Sequence, residues 1–131
     1  MKRNLVFLLV VLAILTLIGG SVYAQMAVID SIVEGDKTID ADTQLLSIIQ
    51  GNVTVNPGIT FQLDGIVNGS VTVENGATLV LNGIVNGDVT LKEGASITLE
   101  GIVGGNVYNQ TGNPIDPDTI NGIVKGEIVN S

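Results

Sequence analysis

Residues 81–107 read LNGIVNGDVTLKEGASITLEGIVGGNV and hold one phrase twice, GIVNG from Gly83 and GIVGG from Gly101. Working outward, GIVNG also begins at Gly65, GIVKG at Gly122, SIIQG at Ser47 and SIVEG at Ser31. Successive copies start 16, 18, 18, 18 and 21 residues apart. A second column, Gly58, Gly76, Gly94 and Gly112, keeps the 18-residue period without exception. Two glycine columns at one period mark a repeat architecture, in which each unit buries its apolar face only by stacking on its neighbours.

Each unit is too short and too rich in β-branched residues for a helical repeat. From Val67 to Leu81 the odd positions carry Val67, Val71, Val73, Ala77, Leu79 and Leu81. The even positions carry Asn68, Ser70, Thr72, Glu74 and Thr78, with Val80 the apolar exception. This alternation is that of strands with one buried face. Because 18 is even, the parity survives from unit to unit. Inward columns therefore stack on themselves, as in Val67, Val85 and Val103, or Phe61, Leu79 and Ile97.

Hairpins would reverse the chain and lose that register, whereas a coil that returns over itself keeps identical units in parallel. The expected fold is all-β, a parallel β-helix (solenoid) of about five to six coils of ~18 residues, each coil adding about 4.8 Å along the axis. Aliphatics also recur every six residues, the spacing of three-sided left-handed solenoids. The run Ala77 to Gly83 nevertheless reads as one longer strand, and unequal sides favour right-handed winding over left-handed. Gly51, Gly58, Gly69, Gly76, Gly87, Gly94, Gly105 and Gly112 are expected at corners that need positive φ. The three extra residues before Gly122 fall with TGNPIDPD, read as a corner bulging outward.

The amino terminus reads as an address. Lys2 and Arg3 precede an apolar run from Leu5 to Ile18, and Val22-Tyr23-Ala24 fits a small-x-small cleavage site. Residues 1–24 are expected to be a secretory signal peptide, residues 25–30 a short extended segment, and residues 31–131 the repeat domain. The run is shorter than the ~20 residues that span a bilayer, so membrane contact is expected only through this segment if it stays uncleaved. Either way the repeat domain is expected outside the cytoplasm, secreted or at the cell surface.

Composition narrows the chemistry. After cleavage three lysines remain against thirteen acids, a net charge of −10, which disfavours nucleic acid as a partner. There is no cysteine for disulfides or thiolate metal sites, and no histidine for a triad or a neutral metal ligand. Asp64 and Glu100 share a column with Asn82 between them, roughly 10 Å apart at two coil spacings, near the range of inverting glycosidases. Nothing aromatic lies near them to stack a sugar, and a solvated outer ladder is the preferred reading. Asp40-Ala-Asp42 and Asp116-Pro-Asp118 are candidate calcium contributors, with turn chemistry as the alternative. The column Ser70, Asp88, Asn106 and Glu127 reads as an external polar ladder, and Asn52, Asn68 and Asn109 head glycosylation sequons. The expectation is a protein that is not an enzyme, with no catalytic residue, no cofactor and no dedicated metal site.

The phrases at residues 81–107 and GIVNGSVTVENGAT at 65–78 resemble the repeat of bactofilins. The resemblance covers roughly residues 31–131 and rests on a G-x-V-x-G-x-V rhythm. It implies a small right-handed β-helix that polymerises end to end without nucleotide. The chain departs from that family in its leader and in lacking a basic tail.

A solenoid leaves an unpaired strand edge at each end, and bare edges recruit other chains. Only QMAVID (residues 25–30) precedes the first copy of the phrase, and GEIVNS closes the sequence. The expected partner is the protein itself, in a homopolymer formed through Met26, Val28, Ile29, Ile32 and Val33 at one end and Ile123, Val124, Ile128 and Val129 at the other. The expected role is a secreted structural protein that builds a filament, sheath or matrix. The alternative is a monomeric surface solenoid that binds a ligand, as an adhesin or carbohydrate binder.

Overall fold

Short alternating runs punctuated by glycine cannot extend into long strands, and the structure resolves them into seventeen strands of two to four residues. The computed structural model describes residues 26–131; the leader expected at residues 1–24 lies outside the described residues. The first coil holds β1 (Ala27–Ile29), β2 (Val33–Glu34) and β3 (Lys37–Ile39), and the second β4 (Thr43–Leu45), β5 (Ile48–Gln50) and β6 (Val53–Val55). The third holds β7 (Thr60–Leu63), β8 (Ile66–Val67) and β9 (Val71–Val73), and the fourth β10 (Thr78–Leu81), β11 (Ile84–Val85) and β12 (Val89–Leu91). The fifth holds β13 (Ser96–Leu99), β14 (Ile102–Val103) and β15 (Val107–Asn109), and the sixth only β16 (Ile123–Val124) and β17 (Ile128–Asn130).

Corresponding strands of successive coils pair in parallel and form three walls. The first wall runs β1-β4-β7-β10-β13, the second β2-β5-β8-β11-β14-β16, and the third β3-β6-β9-β12-β15-β17. The registers reproduce the sequence spacing: Val33 pairs with Ile49, Val67 with Val85, and Val103 with Val124. The protein is thus an all-β parallel solenoid of six coils. The first wall has the longest strands and the second the shortest.

The inward columns form one continuous aliphatic core. Phe61, Leu63, Val67, Val71, Val73, Leu79, Leu81, Val85, Val89 and Leu91 are completely buried. Burying such a side chain contributes about 1.5–3 kcal/mol. With no cysteine in the chain, this core and the parallel ladders are what hold the coils together.

The glycines do two different jobs, which corrects the expectation that all eight corners need positive φ. Gly58, Gly76, Gly94 and Gly112 do have positive φ. In the fourth coil Gly76 (φ 72°) sits in a turn closed by the Ala77 N–H donating to Glu74 O at 3.0 Å, which suits the third residue of a type II turn. Gly51, Gly69, Gly87 and Gly105 have ordinary φ, and space is what they need. A Cβ on Gly69 would collide with the Gly51 carbonyl of the coil below. This second column is glycine because neighbouring coils approach backbone to backbone there.

The polar ladder at the corner between the second and third walls is structural, where the sequence suggested only solvation. The Asn52 N–H donates to Asp36 Oδ1 (2.8 Å), Ser70 N–H to Asn52 Oδ1 (2.9 Å) and Asp88 N–H to Ser70 Oγ (3.0 Å). The Asn106 N–H then donates to Asp88 Oδ1 (2.8 Å) and Glu127 N–H to Asn106 Oδ1 (2.9 Å). Each short side chain thus accepts the amide of the next coil, where the turning backbone presents no carbonyl to it.

Both ends depart from the 18-residue rule. In the first coil the turn before β4 is shortened to Asp40-Ala41-Asp42, and Asp42 Oδ1 accepts the Thr60 N–H at 2.9 Å. The TGNPIDPD stretch does not merely bulge outward at a corner, which is the second correction. Residues 110–121 replace the sixth strand of the first wall, with a 3-10 turn at Pro117–Thr119 capped by Asp116. Ile115 and Ile120 from this segment pack against the core.

Candidate functional site

The residues expected to form end contacts divide by direction. Ile29 and Val33 at one end, and Val124 and Ile128 at the other, continue the inward columns and pack against the core while remaining partly exposed. Their column mates Leu45, Ile49, Val103 and Val107, one coil further in, are completely buried. Val28, Ile32, Ile123 and Val129 point outward and are 52%, 56%, 55% and 39% exposed. Met26, just ahead of β1, is partly buried. The structure therefore places four of the nine residues on the end faces of the core and four on its sides.

Lys37 and Asn130, which the sequence reading did not single out, and Asn109, which it read only as a sequon, shape these ends. Lys37 pairs with Val53 and so occupies the inward column of Val71, Val89 and Val107. It is exposed at the edge of β3, and an inward charge on a sheet edge opposes pairing there. Asn109 and Asn130 share an inward column at the opposite end. Asn109 is only 2% exposed, and its Nδ2 donates to Asn130 Oδ1 at 2.7 Å and to Asn113 O at 2.8 Å. Asn130 Oδ1 in turn accepts the Ile115 N–H at 2.9 Å. These two amides pin residues 110–121 over the core. Parity was the available signal for all three, since each falls on the inward side of its repeat.

Beneath that segment lies a part-open cavity of about 420 Å³, bordered by Ile97, Leu99, Ile115, Ile120 and Ile128. Its apolar lining is the exposed end of the core columns. Among the described residues no group of three or more acidic side chains is placed to hold a metal ion. Asp116 Oδ1 accepts the Asp118 N–H at 2.9 Å, the turn chemistry weighed against calcium.

Asp64 is committed to the scaffold. Its Oδ2 accepts from Gln44 Nε2 (2.7 Å) and Gln62 Nε2 (2.9 Å), and its Oδ1 from Asn82 Nδ2 (2.8 Å). The Gln44 amide, followed by those of Asn82 and Gln62, holds its carboxyl below the ordinary value of 3.8, with partial burial opposing them. A carboxyl held ionised is a poor general acid, and Asn82 joins it to the next coil instead of leaving a gap for a glycosidic bond. A third ladder links Asn86 Nδ2 to Asn68 Oδ1 (2.7 Å) and Asn68 Nδ2 to Gln50 Oε1 (2.6 Å). Of the sequon asparagines, Asn109 is sealed in the core edge, whereas Asn52 and Asn68 are exposed.

No family model, no curated protein and no solved structure matches this chain. The geometry of the solenoid and its ends is therefore what any reading of function rests on.

Proposed function

We propose that this protein is an extracytoplasmic structural protein that assembles end to end into a filament, sheath or matrix, in the manner of the bactofilin-like repeat it resembles. The observation that carries this reading is the state of the end columns. Ile29, Val33, Val124 and Ile128 are partly exposed in columns that are otherwise completely buried. The strands that carry them are the last of their walls among the described residues, so another copy stacked at about 4.8 Å continues the ladders of the second and third walls and brings Val33 onto Val124, while its first wall meets residues 110–121. Burial of those four side chains and pairing of the end strands supply the driving force.

A monomeric surface module is the second reading, and two observations favour it. Lys37 puts a charge on one end, and residues 110–121 fold over part of the other. Electron microscopy of the purified protein at high concentration separates the two. End-to-end assembly predicts filaments that Ile128→Lys abolishes and Lys37→Val lengthens. A uniform monomer unaffected by either substitution supports the surface module and rejects the polymer.

A further inference from the structure

The outward faces of the three walls differ. The first wall presents Gln44, Thr60, Gln62, Thr78 and Thr98 with Val28 and Val80 as apolar exceptions, and the third presents Thr54, Thr72, Thr90 and Tyr108 with Val129 at its end. The second wall presents isoleucine at every level: Ile48, Ile66, Ile84, Ile102 and Ile123 stand in register, with Ile32 beside Ile48. The two end members are more than half exposed. The inward valines of the same strands already fill the core, so this stripe adds cross-strand packing at the surface while leaving apolar area open to solvent.

We propose that this isoleucine stripe is a lateral docking surface for a second copy of the chain, packed face to face and antiparallel. Two arguments select that occupant. The first is spacing: a ladder of side chains at about 4.8 Å is commensurate with another such ladder, which a second copy provides. The second is charge. One flank of the stripe carries, in order, Glu34, Gln50, Asn68, Asn86, Gly104 and Lys125. The other carries Asp30, Leu46, Asp64, Asn82, Glu100 and Asn121. A two-fold axis perpendicular to the solenoid sets each flank against itself in reverse order. Glu34 then faces Lys125 of the second copy, twice by symmetry; Asn68 faces Asn86, Asp64 faces Asn82, and Asp30 faces Asn121. No acid faces an acid. The parallel arrangement instead sets one flank against the other and brings Glu34 to Asp30 and Asn68 to Asp64, so it loses the ion pair and gains a repulsion.

The stripe buries roughly 250 Å² on each copy, well below the ~800 Å² of a stable interface. The pairing is therefore weak and is favoured by high protein concentration. It does not depend on end-to-end stacking.

Because the chain has no cysteine, introduced thiols report the contact cleanly. Antiparallel packing sets position 48 against position 102 of the second copy. Within one chain, and across an end-to-end junction, these positions are three coil spacings apart, about 14 Å, too far for a disulfide. Mild oxidation of purified Ile48→Cys/Ile102→Cys protein at high concentration is expected to yield covalent dimers, with either single variant remaining monomeric. Adding Lys125→Glu is expected to lower the dimer yield several-fold, and adding Glu34→Lys to that variant to restore it. A double-cysteine variant that stays monomeric, dimers from Ile48→Cys alone, or a yield blind to the charge changes overturns the proposal. Ile128→Lys, which blocks end stacking, is expected to leave the yield unchanged, so a failure of the polymer and a failure of the lateral pair are read separately.

Discussion

In the central coils Val67, Val85 and Val103 follow one another at 18-residue steps and are completely buried. At the ends the same column supplies Val33 and Val124, reached by steps of 16 and 21 and left partly exposed. The centre obeys the repeat because each coil is packed from both sides. The end coils are packed from one side, which frees their sequences to carry features the centre cannot tolerate: Lys37 on an inward position, Asn130 in place of an aliphatic, and a folded-over segment instead of a strand. Burial is complete in the middle of this molecule, and departures from the repeat gather at its margins.

The largest test of this contrast is truncation within one inward layer. Val67→Ala, in the third coil, is expected to cost about 2.5 kcal/mol, whereas Val33→Ala in the same column at the first coil costs less than about 1 kcal/mol because its site is still open to solvent. Urea unfolding checks both, and equal losses would erase the distinction between centre and end. Next comes the pin at the far end. Asn109→Ala is expected to cost about 2 kcal/mol, since it removes a buried amide that donates to Asn130 Oδ1 and Asn113 O and accepts the Thr111 N–H. Hydrogen exchange in that variant is expected to rise across residues 110–121 and to stay unchanged in β7 to β12; uniform acceleration would mean that the segment is not a separate end feature.

A smaller effect belongs to the side of the central coils. Asp64→Asn is expected to cost about 1 kcal/mol at neutral pH, after allowing for solvent screening of a partly exposed group. Because the Asp64 carboxyl is held below 3.8 in the folded protein, its contribution is fully present above that value and is lost as pH falls through the lowered one. The difference in stability between the parent and Asp64→Asn should therefore narrow below about pH 3.8. A constant difference from pH 7 to pH 2 would assign the loss to packing and not to the ionised clamp.

The same contrast explains what could be read from the sequence. In the centre the even period and strict parity make each inward column legible in advance, from Phe61 through Leu79 to Ile97. Nothing in that pattern tells a glycine needed for φ, such as Gly76, from one needed for space, such as Gly69, because both recur every 18 residues. The role of Ser70, Asp88 and Asn106 was hidden for a related reason: a short polar residue at a corner suits solvent and an amide of the neighbouring coil equally well. At the ends, intervals of 16 and 21 show that residues are missing or added, the latter at TGNPIDPD. Lys37 keeps the inward parity of Val53 because 16 is even, whereas the path of residues 110–121 across the core has no counterpart elsewhere in the repeat. The isoleucine stripe lay within the repeated phrase itself: its second letter falls on the outward parity at Ile66, Ile84 and Ile102, and the pairing registers align these residues in one column.

The claim that the end coils stack on one another is tested most directly by the axial rise of the assembled protein, measured by cryo-electron microscopy or fibre diffraction. Six coils per subunit predict an unbroken spacing of about 4.8 Å along the fibre and a subunit rise of roughly 29 Å. A protein that stays monomeric at high concentration, or a fibre whose coil spacing is interrupted at each subunit, would contradict it.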